Sequence, residues 1–392
     1  MKEIRIGLPI RYFTGWMGGA SLALTYTDSI LKSTFECFEY IRPILLYDAT
    51  GYDIDIPDCG YLILRKDQIN ANGVFAEFIY LTTYRELVFY KDIRKVCSGL
   101  NIDILGPDHT NLSEDFPIPW ISYIPDFQHR NLPEFFTRSE INSRDLLIRD
   151  ILRMAPEIIV NSQTVIDDIR KYHSDKEILA KIKRFPEFRK NIDYECNFEE
   201  IQNKFKINKK YFIMCSQQWK HKRHDLVIKS FSEFSRIKDV ECDLVITGEQ
   251  IDYRHPNLNA EINSLIEGLE LTDKVKYIGL IPKQQQLCLI DNSVGLIQAS
   301  QIEGGPGASG VLEAAGLDVP IISSDIISNR EMDFGRIKYF KSESVTSLTE
   351  CLNYTFDMPK KAKLKVSQNE SHVVNAAAGA ILIRSMLSLL KY

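Results

Sequence analysis

Glu303 and Glu313 stand on either side of a loop that carries Gly304, Gly305, Gly307 and Gly310. Two carboxylates in such a loop are poorly placed for phosphate and well suited to accepting hydrogen bonds from hydroxyls, so a sugar or a ribose is the ligand they suggest. The glycines let a ligand reach backbone N–H groups, and Ser309 opens what reads as a helix, whose N-terminus offers partial positive charge to an anion. The alternative is an ordinary loop whose glycines only permit tight packing. A second set is cationic: Lys220, His221, Lys222, Arg223 and His224 follow the apolar stretch Tyr211 to Cys215. At a strand-to-helix turn they can hold a diphosphate by charge-assisted hydrogen bonds of roughly 1.5–3 kcal/mol each; the alternative is a solvated charged face. Gly15, Gly18 and Gly19 follow the first apolar stretch, again where an anion can meet a helix, although the spacing is not GxGxxG. Asp126 and His129 follow the apolar stretch Trp120 to Ile124. There His129 could donate to a substrate with Asp126 orienting it, or the two could be a cap and a structural histidine.

The elements that must position these groups are legible as alternating patterns. Val294 to Ile297, the glycine loop, a helix from about Ser309, a stop at Gly316 and then Val319 to Ile322 spell strand, loop, helix, strand, the grammar of a parallel sheet. Towards the N-terminus the same grammar runs through strands at Ile4 to Ile10, Ile41 to Tyr47, Tyr61 to Leu64, Ile102 to Leu105, Trp120 to Ile124 and Glu157 to Val160. Phe75 to Arg94 reads as mostly helical, Ser139 to Arg153 as a charged helix, and Asn161-Ser162 as the cap of a helix ending at Tyr172. Lys181 to Lys209, dense in charge and poor in apolar periodicity, reads as an interdomain connection. From Tyr211 a second series of strands and helices begins. The expected fold is α/β, with two Rossmann-like doubly wound domains facing across a cleft.

Length and composition fit that picture. A chain of 392 residues favours two domains, each able to bury a core. The net charge of −5 argues against nucleic acid as a partner. It gives no support for strong electrostatic membrane anchoring, although a local patch could still make peripheral contact with lipid. Eight scattered cysteines, with no CxxC pair, exclude a recognisable zinc or disulfide framework and fit a reducing cytosol. The N-terminus reads as a strand rather than a signal peptide, and no apolar run approaches a membrane span. Asp53 and Asp55 form a DxD, which can hold a divalent metal against a diphosphate, but here it lies in a polar stretch that reads as an acidic surface loop. No HExxH, P-loop or Ser-His-Asp order occurs.

Taken together, these residues resemble the retaining GT-B-type glycosyltransferases of family 4 (glycosyl transferases group 1), most strongly from about Tyr211 to Asn329. The Glu303 loop with Leu312-Glu313-Ala314 resembles the family's paired-glutamate signature, two residues longer here. By resemblance, Glu303 contacts donor-sugar hydroxyls and Glu313 the nucleotide ribose. SQQWKHKRHD resembles the diphosphate grip, with Lys222 at its lysine, Gln217 where an arginine would stand, and Lys220 able to compensate. Gly18-Gly19 resembles a phosphate loop, and WISYIPDFQHRNLPEFF a segment whose histidine, here His129, borders sugar and acceptor. The resemblance implies an acceptor-side domain over 1–185 with the last helix, 373–392, packing back on it. A linker over 186–210 and a nucleotide-sugar domain over 211–372 would follow. It also implies front-face transfer of a hexose-type sugar from a UDP or GDP donor to a glycan or lipid-linked glycan, in the cytoplasm or at the inner membrane face, with no metal or other cofactor. Two other readings stay open: a glycoside hydrolase using the two carboxylates, and a non-catalytic sugar-nucleotide-binding scaffold of the same fold.

Overall fold

The computed structural model describes residues 3–10, 25–26, 29–30, 33, 38, 40–48, 79–80, 86–90, 92–185, 192, 194–238, 240–333, 335–359 and 368–390. Gly15, Gly18, Gly19, Asp53, Asp55, the strand expected at Tyr61 to Leu64 and the start of the expected linker lie outside these residues. The chain divides into two compact units, one of Met1–Phe127, Arg138–Pro186 and His372–Tyr392, the other of Gln128–Thr137 and Glu187–Ser371.

In the first unit the strands are β1 (Ile4–Ile10), β2 (Ile41–Asp48), β3 (Ile79–Tyr80), β4 (Glu86–Tyr90), β5 (Ile104–Asp108), β6 (Trp120–Tyr123), β7 (Glu157–Val160) and β8 (Ile182–Arg184). They form one sheet in the order β3-β4-β2-β1-β5-β6-β7-β8, parallel except where β3 meets β4. The helix expected over Phe75 to Arg94 is corrected: this stretch holds β3 and β4, and a helix begins only at Ile93. Glu86–Tyr90, with one valine and two aromatic residues, pairs in parallel with Ile44–Asp48 instead. The cap expected at Asn161-Ser162 falls on Ser162, whose hydroxyl accepts from Val165 N–H at 3.1 Å. The last helix, Gln368–Leu389, belongs from His372 onward to this unit. Asn375 accepts a hydrogen bond from the Ser29 hydroxyl, and a Cβ on Gly379 would collide with the Ser29 backbone.

The second unit holds β9 (Lys210–Cys215), β10 (Cys242–Thr247), β11 (Val275–Gly279), β12 (Gly295–Gln298), β13 (Ile321–Ser324) and β14 (Ile337–Phe340). All pairs are parallel, in the order β11-β10-β9-β12-β13-β14. Alternation along each strand fills two separate cores. Phe212, Met214, Leu244, Ile246 and Ile297 join one, while Tyr211, Ile213, Val245 and Leu296 join the other. A sheet buried on both faces reads in sequence as a near-continuous apolar run, as β9 and β10 do.

Two boundaries differ from expectation. The stretch taken as a linker contains the helix Phe198–Phe205, capped by Asn197, and Ile192, Ile201 and Ile207 are buried in the second unit's core. Its surface is so charged that the three buried isoleucines set no clear period. Gln128–Thr137 groups with the second unit rather than the first, because Phe136 carries the Arg254 guanidinium at 4.6 Å and Phe135 meets His255 edge-on at 5.6 Å. Among the described residues, no helix is long and apolar enough to cross a membrane.

Candidate functional site

In an open parallel sheet, ligands gather at the carboxyl ends of the strands where the strand order reverses. In the second unit that point lies between β9 and β12, the two central neighbours from which the chain winds outward in opposite directions. Leaving β9, the chain turns through Ser216 to Trp219 and a single helical turn, Lys220–Lys222, into the helix His224–Lys238. Arg223 makes the change of direction with φ +57°, and Asp225 holds its guanidinium with bonds of 2.9 and 3.1 Å. Gly248 allows the close approach of the neighbouring loop: its φ is +122°, and a Cβ there would stand 2.3 Å from the Ser216 carbonyl oxygen. Leaving β12, the chain passes through Ser300 and Glu303 into the glycine loop and the helix Ser309–Gly316. Gln301 N–H donates to the His221 carbonyl at 2.9 Å and ties the two turns together.

These turns bring Lys222 and Glu303 into contact. Lys222 Nζ donates to Glu303 Oε1 at 2.5 Å, with side-chain exposures of only 14% and 10%. Gln298 Nε2 donates to the same oxygen at 3.0 Å. Around the pair lies a small pocket whose lining includes Ser216, Lys222, Gln298, Glu303, Gly310 and Val311. The first turn of the Ser309–Gly316 helix thus faces the pocket with the positive end of its dipole. Cys215 also lines it, its thiol pushed up to about 11 by burial and so kept neutral. Behind it His224 is enclosed, stacked on Tyr277 at 6.1 Å, and burial pushes its imidazole down to about 4. It too is neutral near pH 7.

Residues 197–360 match the family model of glycosyl transferases group 1. That span takes in Lys222, Glu303 and Glu313, though it is less than half of the chain. Among curated proteins none matches the sequence. Solved structures are similar in fold over nearly the whole chain. A glycosyltransferase of Rickettsia africae is 15% identical, with a TM-score of 0.60 over 100% of this chain and 96% of that one. HepE of Anabaena, solved with UDP and glucose, is 14% identical, with a TM-score of 0.60 over 98% and 96%. Sucrose-phosphate synthase of Thermosynechococcus elongatus is 10% identical, with a TM-score of 0.60 over 99% and 95%. At these identities the likeness establishes the fold, the two-domain α/β architecture of GT-B glycosyltransferases.

The remaining candidates divide. Glu313 lies on the helix Ser309–Gly316, where its Oε1 accepts from Lys283 Nζ at 2.7 Å and its buried Oε2 has no partner among the described residues. Ser309 is the exposed first residue of that helix. Gly305 is buried in the loop, and Gly307 donates its N–H to Asn329 Oδ1 at 3.1 Å. Gln217 and Lys220, expected at the diphosphate, are not among the residues lining the pocket. Gln217 is taken by better partners, donating to Glu249 at 3.2 Å and accepting from the Trp219 indole at 3.0 Å. Lys220 is exposed, with its backbone N–H held by Asp252 at 3.0 Å. Asp126, in the first unit, stands 3.8 Å from Arg144. His129 is fully buried, its ring edge-on to Phe136 at 6.4 Å. Sequence reasoning missed Lys283, Gln298 and Asn329, three side chains that touch the candidate loop.

Proposed function

We propose that this protein is a glycosyltransferase that moves a hexose-type sugar from a nucleoside diphosphate donor to a carbohydrate or lipid-linked glycan acceptor, with retention at the anomeric carbon. The observation that carries this reading is the buried Lys222–Glu303 pair at the switch point, beside a helix N-terminus and ten positions before Glu313. A diphosphate needs a cation and N–H donors; a sugar and a ribose need hydroxyl acceptors. The pocket supplies Lys222 and a helix N-terminus for the first and Glu303 for the second, and Glu313 follows on the same helix. In this reading Lys222 exchanges Glu303 for the donor's distal phosphate, Glu303 turns to sugar hydroxyls, and the unpartnered oxygen of Glu313 accepts from the ribose. The acceptor hydroxyl attacks on the face the diphosphate leaves. Its proton passes to the departing phosphate oxygen, so the protein supplies charge stabilisation and orientation rather than a base. Protein cations carry the phosphate charge, and no metal is needed.

The test is a panel of UDP- and GDP-hexoses with glycan acceptors, scored for released nucleoside diphosphate and, by proton NMR, for the anomeric configuration of the product. Release with retention, unchanged by EDTA, is expected. Inversion, or loss on chelation restored by manganese, refutes the mechanism. Nucleotide binding without turnover across the panel favours the scaffold reading, and cleavage of glycosides without any nucleotide favours a hydrolase.

A further inference from the structure

Beneath the glycine loop, neutral side chains form a buried chain of hydrogen bonds. Gln298 ends β12 directly opposite Ser323 of β13. Its Oε1 accepts from Ser323 Oγ at 3.1 Å and Asn329 Nδ2 at 2.8 Å, while the Ser324 hydroxyl, 3.3 Å away, gives its one proton to the Ser300 carbonyl at 2.7 Å. These two donors on one oxygen decide which way the amide faces, and Nε2 is therefore turned to Glu303. Asn329 is fixed in the same way. Its Nδ2 also donates to the Ser324 carbonyl at 3.0 Å, which leaves Oδ1 for Gly307 N–H. Tyr339 donates its hydroxyl to the Asn329 carbonyl at 2.7 Å and anchors the far end. Gln298 is 6% exposed and Asn329 fully buried, so protein groups are the main partners of both amides.

We propose that Gln298 and Asn329 are positioning residues of the donor site, an amide pair that orients Glu303 and fixes the path of the glycine loop. The inference rests on the transferase reading above. Once Lys222 turns to the donor phosphate, Gln298 keeps its hold on Oε1, and Oε2 is the Glu303 oxygen set to receive a sugar hydroxyl. A neutral donor suits this task, since it steers the carboxylate without replacing the charge of Lys222. The arrangement depends on Asn329 donating: an acceptor there turns the Gln298 amide over and points its oxygen at the Glu303 carboxylate.

Asn329→Asp makes that change while keeping an acceptor for Gly307. A buried aspartate among acceptors has a raised pKa, and once protonated it donates to Gln298 as asparagine does. Turnover of UDP-glucose, or of the panel donor the wild type uses fastest, is measured with the dissociation constant of the matching nucleoside diphosphate. Relative to wild type at the same pH, Asn329→Asp is expected to lose about 100-fold in kcat near pH 8 and to recover at least about fivefold of this near pH 6, with nucleotide affinity within about threefold. Asn329→Ala, which cannot titrate, should stay low at both. An Asn329→Asp deficit that is the same at both pH values overturns the proposal, as does an equal loss in nucleotide affinity. If the aspartate variant does not fold, Asn329→Ala decides: kcat down about tenfold or more with nucleotide affinity within about fivefold supports the inference, and wild-type kcat overturns it. A wild-type protein that neither binds nor turns over any panel nucleotide brings down the transferase reading and this inference together. An active wild type with indifferent variants brings down this inference alone.

Discussion

Lys222→Met removes one ion of a buried pair and leaves the other. At 2.5 Å and an effective dielectric of about 20, the attraction between Lys222 and Glu303 is about 7 kcal/mol. The cost of taking both ions out of water offsets most of that, so the pair itself contributes little net stability. Truncating only the lysine is different, because Glu303 stays buried and charged with Gln298 as its remaining donor. Such half-removals cost about 3–5 kcal/mol, and the surviving Gln298 bond puts this one near about 3 kcal/mol. Glu303→Gln removes the charge that needs compensation, so the double variant should be more stable than the sum of the two losses by about 2 kcal/mol. Urea unfolding of the wild type, both single variants and the double variant at about pH 7 measures all of this. A Lys222→Met protein within about 0.5 kcal/mol of wild type, or single losses that simply add, refutes the buried-pair reasoning.

Three further outcomes are expected. Glu313→Gln leaves the nucleotide ribose without a charged acceptor, so nucleoside diphosphate affinity measured by calorimetry should drop by about 1.5–3 kcal/mol with a smaller effect on kcat; equal affinities count against the ribose role. Gly307 has φ +74°, and a Cβ there would stand 2.7 Å from Val311 Cγ1, so Gly307→Ala should lower kcat/KM by at least about tenfold and reduce the thermal midpoint; a variant with wild-type kinetics means the loop tolerates another path. His224 is held neutral by burial with a folded pKa of about 4, below its unfolded value of 6.5, so its contribution is intact above about pH 6.5 and declines towards pH 4 by about 3 kcal/mol. His224→Phe, which keeps the stack on Tyr277, should remove that part of the acid sensitivity in urea unfolding, and an unchanged pH profile excludes His224 as its source.

The second sheet was legible because its central strands are buried on both faces. Residues 211–215 and 244–246 are unbroken apolar stretches, and no helical period competes with them. At the periphery the signal failed for opposite reasons. Glu86–Tyr90 is a strand within a stretch whose spacing also suits a helix, and pairing with β2 decides between them. Phe198–Phe205 is a helix with only Ile201 buried along it, too little to set a period amid its charges. The return of Gln128–Thr137 to the second unit rests on ring and guanidinium contacts with Arg254 and His255, partners more than a hundred positions away in sequence.

The candidate site divides along the same physical line. Glu303, Glu313 and Lys222 could be read from the sequence because each is a charge beside a turn, and a charge advertises a ligand even before its neighbours are known. Gln217 misled for the complementary reason: its place in the turn suggested a phosphate contact, whereas the fold provides Glu249 and Trp219 as partners. Gln298 and Asn329 gave no signal at all. An uncharged amide at a strand end and another in a four-residue helix 31 positions later are ordinary surface residues by type. What makes them partners is the parallel register that sets Gln298 against Ser323, together with the short helix that folds Asn329 back over Ser324. Burial then converts weak side-chain preferences into fixed orientations, because a misdirected amide in that place would leave a donor or acceptor unsatisfied. The charges that act on a ligand can thus be read in one dimension, while the neutral groups that aim them exist as a site only once the strands are paired.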